Sequence, residues 1–158
     1  MFIKMDKLSD DDFNTIKAEL DPIFEKENFQ KSSIVAKEMI QLNIRDSESF
    51  FPSLNKVPDT SIILQLKAKE IFKKYIPFDY MTPDVQLLKY GPGQFYKWHT
   101  DVVPSTNMQG YIRCITISLK YNDEYTGGGL EIKKDNNTTL KLPSESGSFA
   151  IFPSFLLH

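Results

Sequence analysis

The sequence contains, at residues 96–101, the stretch Tyr96-Lys97-Trp98-His99-Thr100-Asp101, within a run that predicts a β-strand. Residues i and i+2 of a strand point to the same face of its sheet. His99 and Asp101 are therefore expected to present an imidazole nitrogen and a carboxylate oxygen to one point in space. His-x-Asp alone is a weak motif, because such triplets are common by chance. Whether this motif binds a metal therefore has to be judged from the rest of the sequence.

The second of the two histidines, His158, ends another strand-like run that contains Phe149-Ala150-Ile151-Phe152-Pro153. Two histidines and one carboxylate on a β scaffold are the ligand set of facial-triad non-haem Fe(II) oxygenases. His99, Asp101 and His158 are therefore candidate metal ligands.

The second half of the chain has strand-like periodicity from Met81 onward. Strands are predicted at residues 85–90, 95–103, 111–121, 130–133, 138–142 and 149–152. Turns are predicted at residues 91–93, 122–129, 135–137 and 143–147, where Gly, Pro and Asn cluster. Helices followed by closely spaced strands indicate an α+β fold, with a β-sandwich or jelly roll that carries the site.

The first half predicts two amphipathic helices. Residues 8–28 form the first, with Ser9 as N-cap and acidic residues in the first turn, and Pro22 is expected to kink or divide it. The second begins at Thr60 or Ser61 and ends before Pro77. Both are expected to cover the outer face of the sheet. Between them, the sequence predicts a strand at residues 38–44 and a loop at residues 47–59.

The composition is that of an ordinary globular protein, with 41% hydrophobic and 25% charged residues among 158. This length predicts a single domain, 1–158, with a mainly helical flanking region at 1–80 and a β core at 81–158. A net charge of −2 and a pI near 5.7 provide no basic surface for nucleic acid or an anionic membrane.

Cys114 is the single cysteine, which excludes an internal disulfide and suits a reducing compartment. Because it lies in a strand-like run, a buried and unreactive thiol is expected. Lys4, Asp6 and Lys7 interrupt any signal-peptide pattern, and no apolar run reaches membrane-spanning length. We therefore expect a cytoplasmic protein.

Five motifs occur in order between residues 83 and 158. They are Tyr90-Gly-Pro-Gly-Gln-Phe-Tyr96-Lys-Trp-His99-Thr-Asp101, Arg113, Leu119-Lys-Tyr-Asn122, Tyr125-Thr-Gly-Gly-Gly-Leu130 and Phe152-Pro-Ser-Phe-Leu-Leu-His158. The series resembles the 2-oxoglutarate- and Fe(II)-dependent dioxygenases of the prolyl 4-hydroxylase type, especially compact PKHD-type hydroxylases. The resemblance implies a double-stranded β-helix (jelly roll) core with the N-terminal helices packed on the outer sheet face.

The resemblance also implies the chemistry. His99, Asp101 and His158 would ligate Fe(II), with 2-oxoglutarate as co-substrate, O₂ as oxidant and ascorbate as accessory reductant. The reaction would hydroxylate an unactivated C–H bond, by this likeness a peptidyl proline, and release succinate and CO₂. The partners expected are a peptide, protein or small-molecule substrate, without nucleic acid or membrane, and the oligomeric state stays open.

Three further residues match positions near the co-substrate in this family. Tyr90 and Tyr96 correspond to aromatic residues that line its pocket, although core packing would also account for them. Lys120 falls where relatives often have a tyrosine directed at the co-substrate, and exposure to solvent is its alternative. Arg113 would either order the beginning of its predicted strand or contact the substrate.

Relatives continue past the distal histidine into a strand whose arginine or lysine pairs with the far carboxylate of 2-oxoglutarate. The given sequence ends at His158, so we expect it to be truncated there. Two alternatives to the hydroxylase remain open. One is a catalytically impaired β-helix binding module that retains the metal site, and the other is a cupin-like metalloenzyme of another class.

Overall fold

A computed structural model describes residues 2–32, 43–73, 85–102 and 113–158. Two helices, a 3₁₀ turn and ten short strands occur in these ranges. In chain order they are β1 (Lys4–Lys7), α1 (Asp10–Lys26), β2 (Gln30–Lys31), β3 (Arg45–Asp46), β4 (Glu48–Phe50), the 3₁₀ turn (Leu54–Lys56), α2 (Pro58–Phe72), β5 (Leu87–Lys89), β6 (Phe95–Tyr96), β7 (Ile115–Leu119), β8 (Glu131–Lys133), β9 (Thr139–Lys141) and β10 (Ser148–Pro153).

Strand β10 is the centre of the first sheet, whose antiparallel order is β1-β10-β7. Because side chains alternate along a strand, β10 contributes to two cores. Phe149 and Ile151 pack with residues of α1 and α2. Ala150 and Phe152 point the other way and pack with Ile132 of β8. The helices thus cover one face of the sheet, as predicted, and the opposite face is turned towards the interior of the β core.

The remaining strands form the β8-β9 hairpin, the β3-β6 pair and a three-stranded β2-β4-β5 sheet, whose Phe50 and Leu87 pack in the same cluster as the helices. Backbone hydrogen bonds connect the hairpin to the last residues of the chain, since the Lys133 N–H donates to the Leu157 carbonyl at 2.8 Å. The same last residues pair with the segment after β6, where His99 and His158 exchange backbone hydrogen bonds at 3.0 Å. The segment around His99 and the segment that ends at His158, which are distant in the sequence, therefore run side by side.

Helix α1 begins as the sequence predicts, because the Ser9 hydroxyl accepts a hydrogen bond from the Asp12 N–H at 3.2 Å. Its buried residues, Ile16, Leu20 and Ile23, lie at the helical spacing of one face. The expectation that Pro22 divides the helix is wrong, since α1 continues through it to Lys26.

Several predicted boundaries need correction. Helix α2 begins at Pro58 rather than at Thr60 or Ser61, because proline is well suited to the first turn of a helix. The loop predicted at residues 47–59 contains β4 and the 3₁₀ turn. Residues 99–102 of the strand predicted at residues 95–103 lie outside regular strand structure, and β6 ends at Tyr96. Cys114 is exposed and not buried.

The predicted strands of the second half otherwise correspond to β5, β7, β8 and β9, which are shorter than expected, and to β10, which is one residue longer at each end. Most of the strand predicted at residues 38–44, the end predicted for the second helix at Pro77, and residues 103 and 111–112 of two predicted strands lie outside the described residues. The short strands β1 and β2 were not predicted. The assignment of the whole chain to one domain stays a prediction.

Candidate metal centre

The side chains of His99, Asp101 and His158 converge on one point. The Nε2 atom of His99 lies 3.7 Å from Asp101 Oδ1, and the Nε2 atom of His158 lies 3.6 Å from Asp101 Oδ2. One ligand atom from each of the three residues lies within 4.8 Å of the others, a spacing that could hold a single metal ion. The side chains of His99 and Asp101 keep 18% and 20% of their surface exposed, so the cluster is accessible from one side.

Both imidazoles are oriented by a hydrogen bond to the backbone carbonyl two residues earlier. The Nδ1 atom of His99 lies 2.9 Å from the Lys97 carbonyl, and that of His158 lies 2.9 Å from the Leu156 carbonyl. A carbonyl oxygen only accepts hydrogen bonds, so Nδ1 carries the proton in each ring. Each Nε2 is then unprotonated in the neutral imidazole and directed at the cluster, the arrangement in which histidine binds metals.

Burial, with a smaller contribution from the nearby His158, lowers the pKa of His99 to about 4. The hydrogen bond to Lys97 and the charge of Asp101 act in the opposite direction. The His99 imidazole is therefore neutral at neutral pH, and its short distance to Asp101 is not an ion pair.

Asp101 is positioned by hydrogen bonds to two other segments. Thr116 of β7 donates to Asp101 Oδ2 at 2.7 Å, and its hydroxyl lies 3.0 Å from that of Ser154, which is fully buried. The Asp101 N–H also donates to the Ser154 carbonyl at 2.8 Å. Arg113 lies farther away, with Nη1 3.9 Å from Asp101 Oδ1. The carboxylate is thus held by hydrogen bonds and has a weak ionic neighbour.

Tyr96 lies against the cluster. Its ring stacks on the His99 imidazole with the centroids 3.5 Å apart and the planes 17° apart. On β3, the guanidinium of Arg45 lies 4.5 Å from the Tyr96 ring centroid. Tyr90 is about half exposed and belongs to the same neighbourhood. Burial raises the pKa of its hydroxyl, while the charge of Arg45 and a hydrogen bond with Ser47 act in the opposite direction.

Lys120 does not contact the three converging side chains. It follows Thr116 and Ser118 along the alternation of β7, so its side chain starts from the face of the strand that carries the site. Its Nζ atom lies 4.3 Å from the ring centroid of Tyr125.

The sequence analysis missed Thr116, Ser154 and Arg45. The alternation of β7 could have indicated Thr116, but nothing in the sequence pattern distinguishes the other two.

Comparison with known proteins identifies the family. Residues 85–158 match the model of the 2OG-Fe(II) oxygenase superfamily. This region belongs to the 2OG-Fe(II) oxygenase superfamily. The oxygenase is similar in fold to a prolyl-4-hydroxylase from Pseudomonas putida, with a TM-score of 0.75, 15% identity, and coverage of 98% of this chain and 82% of that one.

A second solved structure is a prolyl hydroxylase from Trichoplax adhaerens, in complex with a peptide fragment of the hypoxia inducible factor oxygen degradation domain. Its TM-score is 0.71 at 16% identity, with coverage of 96% of this chain and 72% of that one. No curated protein sequence shows a match to the oxygenase.

These findings confirm the double-stranded β-helix and the 2-oxoglutarate-dependent oxygenase that the sequence predicts. Fe(II), 2-oxoglutarate and O₂ are accordingly its cofactors. Within the described residues, no helix is both long and apolar enough to cross a bilayer.

The donor set fits the iron ion that the superfamily requires. Two imidazole nitrogens and one carboxylate oxygen are the donors of a facial triad, which leaves other coordination positions open to co-substrate and O₂. The exposure of the cluster on one side is consistent with such access.

The hydroxyl that binds Asp101 provides a direct test of this fit. We expect Thr116→Val to lower the Fe(II) affinity about 10-fold, because hydrogen bonds to ligating carboxylates typically contribute that much. Anaerobic calorimetric titration with Fe(II) measures the effect. Thr139→Val, on the exposed surface of β9, is the matched control and should bind like the wild type. Equal affinities for both variants would contradict the role given to Thr116.

Proposed function

We propose that this oxygenase hydroxylates a prolyl residue of a peptide or protein, with Fe(II) held by His99, Asp101 and His158. The observation that carries the proposal is the convergence of two imidazoles and one hydrogen-bonded carboxylate at a point that is open on one side. The similarity in fold to two prolyl hydroxylases favours proline over other unactivated C–H bonds.

In this proposal the protein residues hold the iron ion and orient the ligand atoms towards it. Iron bound at the site, with 2-oxoglutarate and O₂, supplies the oxidising power for C–H hydroxylation, and succinate and CO₂ are the co-products. The carbonyl groups of Lys97 and Leu156 keep both Nε2 atoms directed at the ion. Thr116 limits the rotation of the Asp101 carboxylate. The buried side chain of Phe152 packs edge-on against His158 and excludes water from the inner side.

Tyr90, Tyr96 and Lys120 are proposed to contact the co-substrate. Tyr96 adjoins His99, which places a partly buried ring and hydroxyl beside the proposed metal position. Lys120 starts from the same face of β7 as Thr116, and its long side chain provides a cation for the far carboxylate of 2-oxoglutarate. Its present contact with the exposed Tyr125 ring is a surface interaction that a carboxylate can displace.

The substrate proposal is tested with peptides. Two synthetic peptides that differ only by proline or alanine at one position are incubated with enzyme, Fe(II), 2-oxoglutarate and O₂. We expect the proline peptide to gain one oxygen atom by mass spectrometry, in step with succinate formation, and the alanine peptide to remain unmodified.

The ligand variants are the control for this experiment. His99→Ala and Asp101→Ala should abolish both products, because each removes a metal donor. Succinate formation that persists in both variants would refute the metal assignment. A third outcome is also informative. If the wild type forms succinate without peptide, both variants lose this activity, and no proline peptide is oxidised, the proposal of a prolyl substrate would be refuted and the assignment as an oxygenase would stand.

The proposed role of Lys120 predicts that its loss weakens the binding of 2-oxoglutarate but not that of Fe(II). Lys120→Met should raise the KM for 2-oxoglutarate about 10-fold or more, because a charge-assisted hydrogen bond to the co-substrate is lost. The Fe(II) affinity should stay unchanged. Lys134→Met, an exposed lysine after β8, is the control. Steady-state kinetics at saturating Fe(II) decide the matter, and a wild-type KM for Lys120→Met would exclude Lys120 as the anchor.

A further inference from the structure

A buried polar cluster lies behind Tyr96. It consists of Arg45, Ser47 and Ser32, which retain only 6%, 1% and 2% of their surface exposed, and we call it the Arg45 cluster. Arg45 Nε donates to Ser47 Oγ at 2.9 Å, and Ser47 Oγ donates to Ser32 Oγ at 2.9 Å. The Ser32 N–H donates to the Ser47 carbonyl at 2.9 Å. The guanidinium is therefore fixed in position by groups that are themselves fixed.

The cluster reaches the metal centre through one aromatic ring. Arg45 and Tyr96 are direct partners in the β3–β6 pair, and the guanidinium carbon lies 4.5 Å from the centroid of the Tyr96 ring. That ring stacks on the His99 imidazole at 3.5 Å. The contacts form a continuous series from Ser32 through Ser47, Arg45 and Tyr96 to a proposed metal ligand.

An imidazole needs two restraints before its Nε2 atom has a fixed direction. The hydrogen bond from Nδ1 to the Lys97 carbonyl fixes one edge of the His99 ring. Rotation of the ring plane about that edge is restrained only by what lies against its faces. The Tyr96 ring lies nearly parallel to it, at an interplanar angle of 17°. The Tyr96 ring therefore restrains the plane of the His99 imidazole, alongside the His158 ring at a centroid separation of 4.2 Å.

We propose that Arg45 is a positioning residue of the metal centre, which holds the Tyr96 ring against His99 and thereby fixes the plane of that ligand. The inference rests on the proposed function, because it takes His99 to be a ligand. A buried guanidinium suits the task, since its flat surface stacks on an aromatic ring while its edge donates hydrogen bonds. Arg45 has no contact with substrate in this account and acts through Tyr96 alone.

The experiment is a double-mutant cycle on metal affinity. Co(II) is titrated into wild type, Arg45→Met, Tyr96→Leu and the double variant, with calorimetry as the readout. We expect each single variant to bind Co(II) about 10-fold more weakly, the usual effect of removing an outer-sphere partner of a ligand. The double variant should be no weaker than Tyr96→Leu, because both changes remove the same restraint.

Lys133→Met is the matched control, because Lys133 also lies over an aromatic ring, that of Trp98 at 5.0 Å. It should bind Co(II) like the wild type. Circular dichroism and thermal melting check that each variant is folded. If Arg45→Met does not fold, Arg45→Lys takes its place in the cycle, because lysine keeps the buried charge but lacks the flat guanidinium.

The outcomes separate this inference from the proposed function. Wild-type Co(II) affinity in the folded Arg45 variant would overturn it, and so would losses that add in the double variant. His99→Ala is measured alongside. If it retains Co(II) binding, the metal assignment itself fails. If it loses binding while the Arg45 variant does not, only the positioning role fails.

Discussion

The candidate metal centre depends on one pair of reciprocal backbone hydrogen bonds, in which His99 and His158 each donate an N–H to the carbonyl of the other at 3.0 Å. In an antiparallel pair, residues joined in this way lie directly opposite and their side chains project to the same face. The two histidines come from distant parts of the sequence, and this pairing brings their rings to a centroid separation of 4.2 Å. Asp101, two residues after His99, donates its backbone N–H to the Ser154 carbonyl, and its carboxylate lies beside both imidazoles.

A second constraint comes from the alternation of β10. Phe149 and Ile151 pack beneath the helices, whereas Ala150 and Phe152 belong to the interior cluster. Phe152 also packs against the His158 ring. The strand that attaches the helices to the sheet therefore also supports the distal histidine, so the stability of the helical layer and the geometry of the site are connected through one strand.

The sequence predicted the features that depend on local spacing. The separation of His99 and Asp101 by one residue needs only strand periodicity, and Ser9 needs only the preference of helices for a hydroxyl at the N-cap. Arg45 could not be predicted in this way, because its burial depends on β3 pairing with β6 across a long sequence separation. Ser154 was missed for the same reason, since its hydroxyl meets Thr116 only after β10 and β7 pair.

The boundaries that failed have physical causes of the same kind. β6 ends at Tyr96, the exposed residues Lys97 and Trp98 follow it, and the Tyr96 ring stacks on the His99 imidazole. Residues 47–59 read as a loop because polar residues and prolines dominate them, yet β4 forms there because β2 and β5 supply hydrogen-bonding partners on both sides. Tertiary pairing overrides local preference at such positions.

The central claim is that His99, Asp101 and His158 hold Fe(II) in a position to which 2-oxoglutarate can chelate. Anaerobic titration with Fe(II) and 2-oxoglutarate tests this assignment. The readout is the weak visible charge-transfer band that chelated 2-oxoglutarate gives in this superfamily. We expect the band to appear in the wild type and to be absent from His99→Ala, Asp101→Ala and His158→Ala. A band of undiminished intensity in any of the three variants would show that the substituted residue is not a metal ligand.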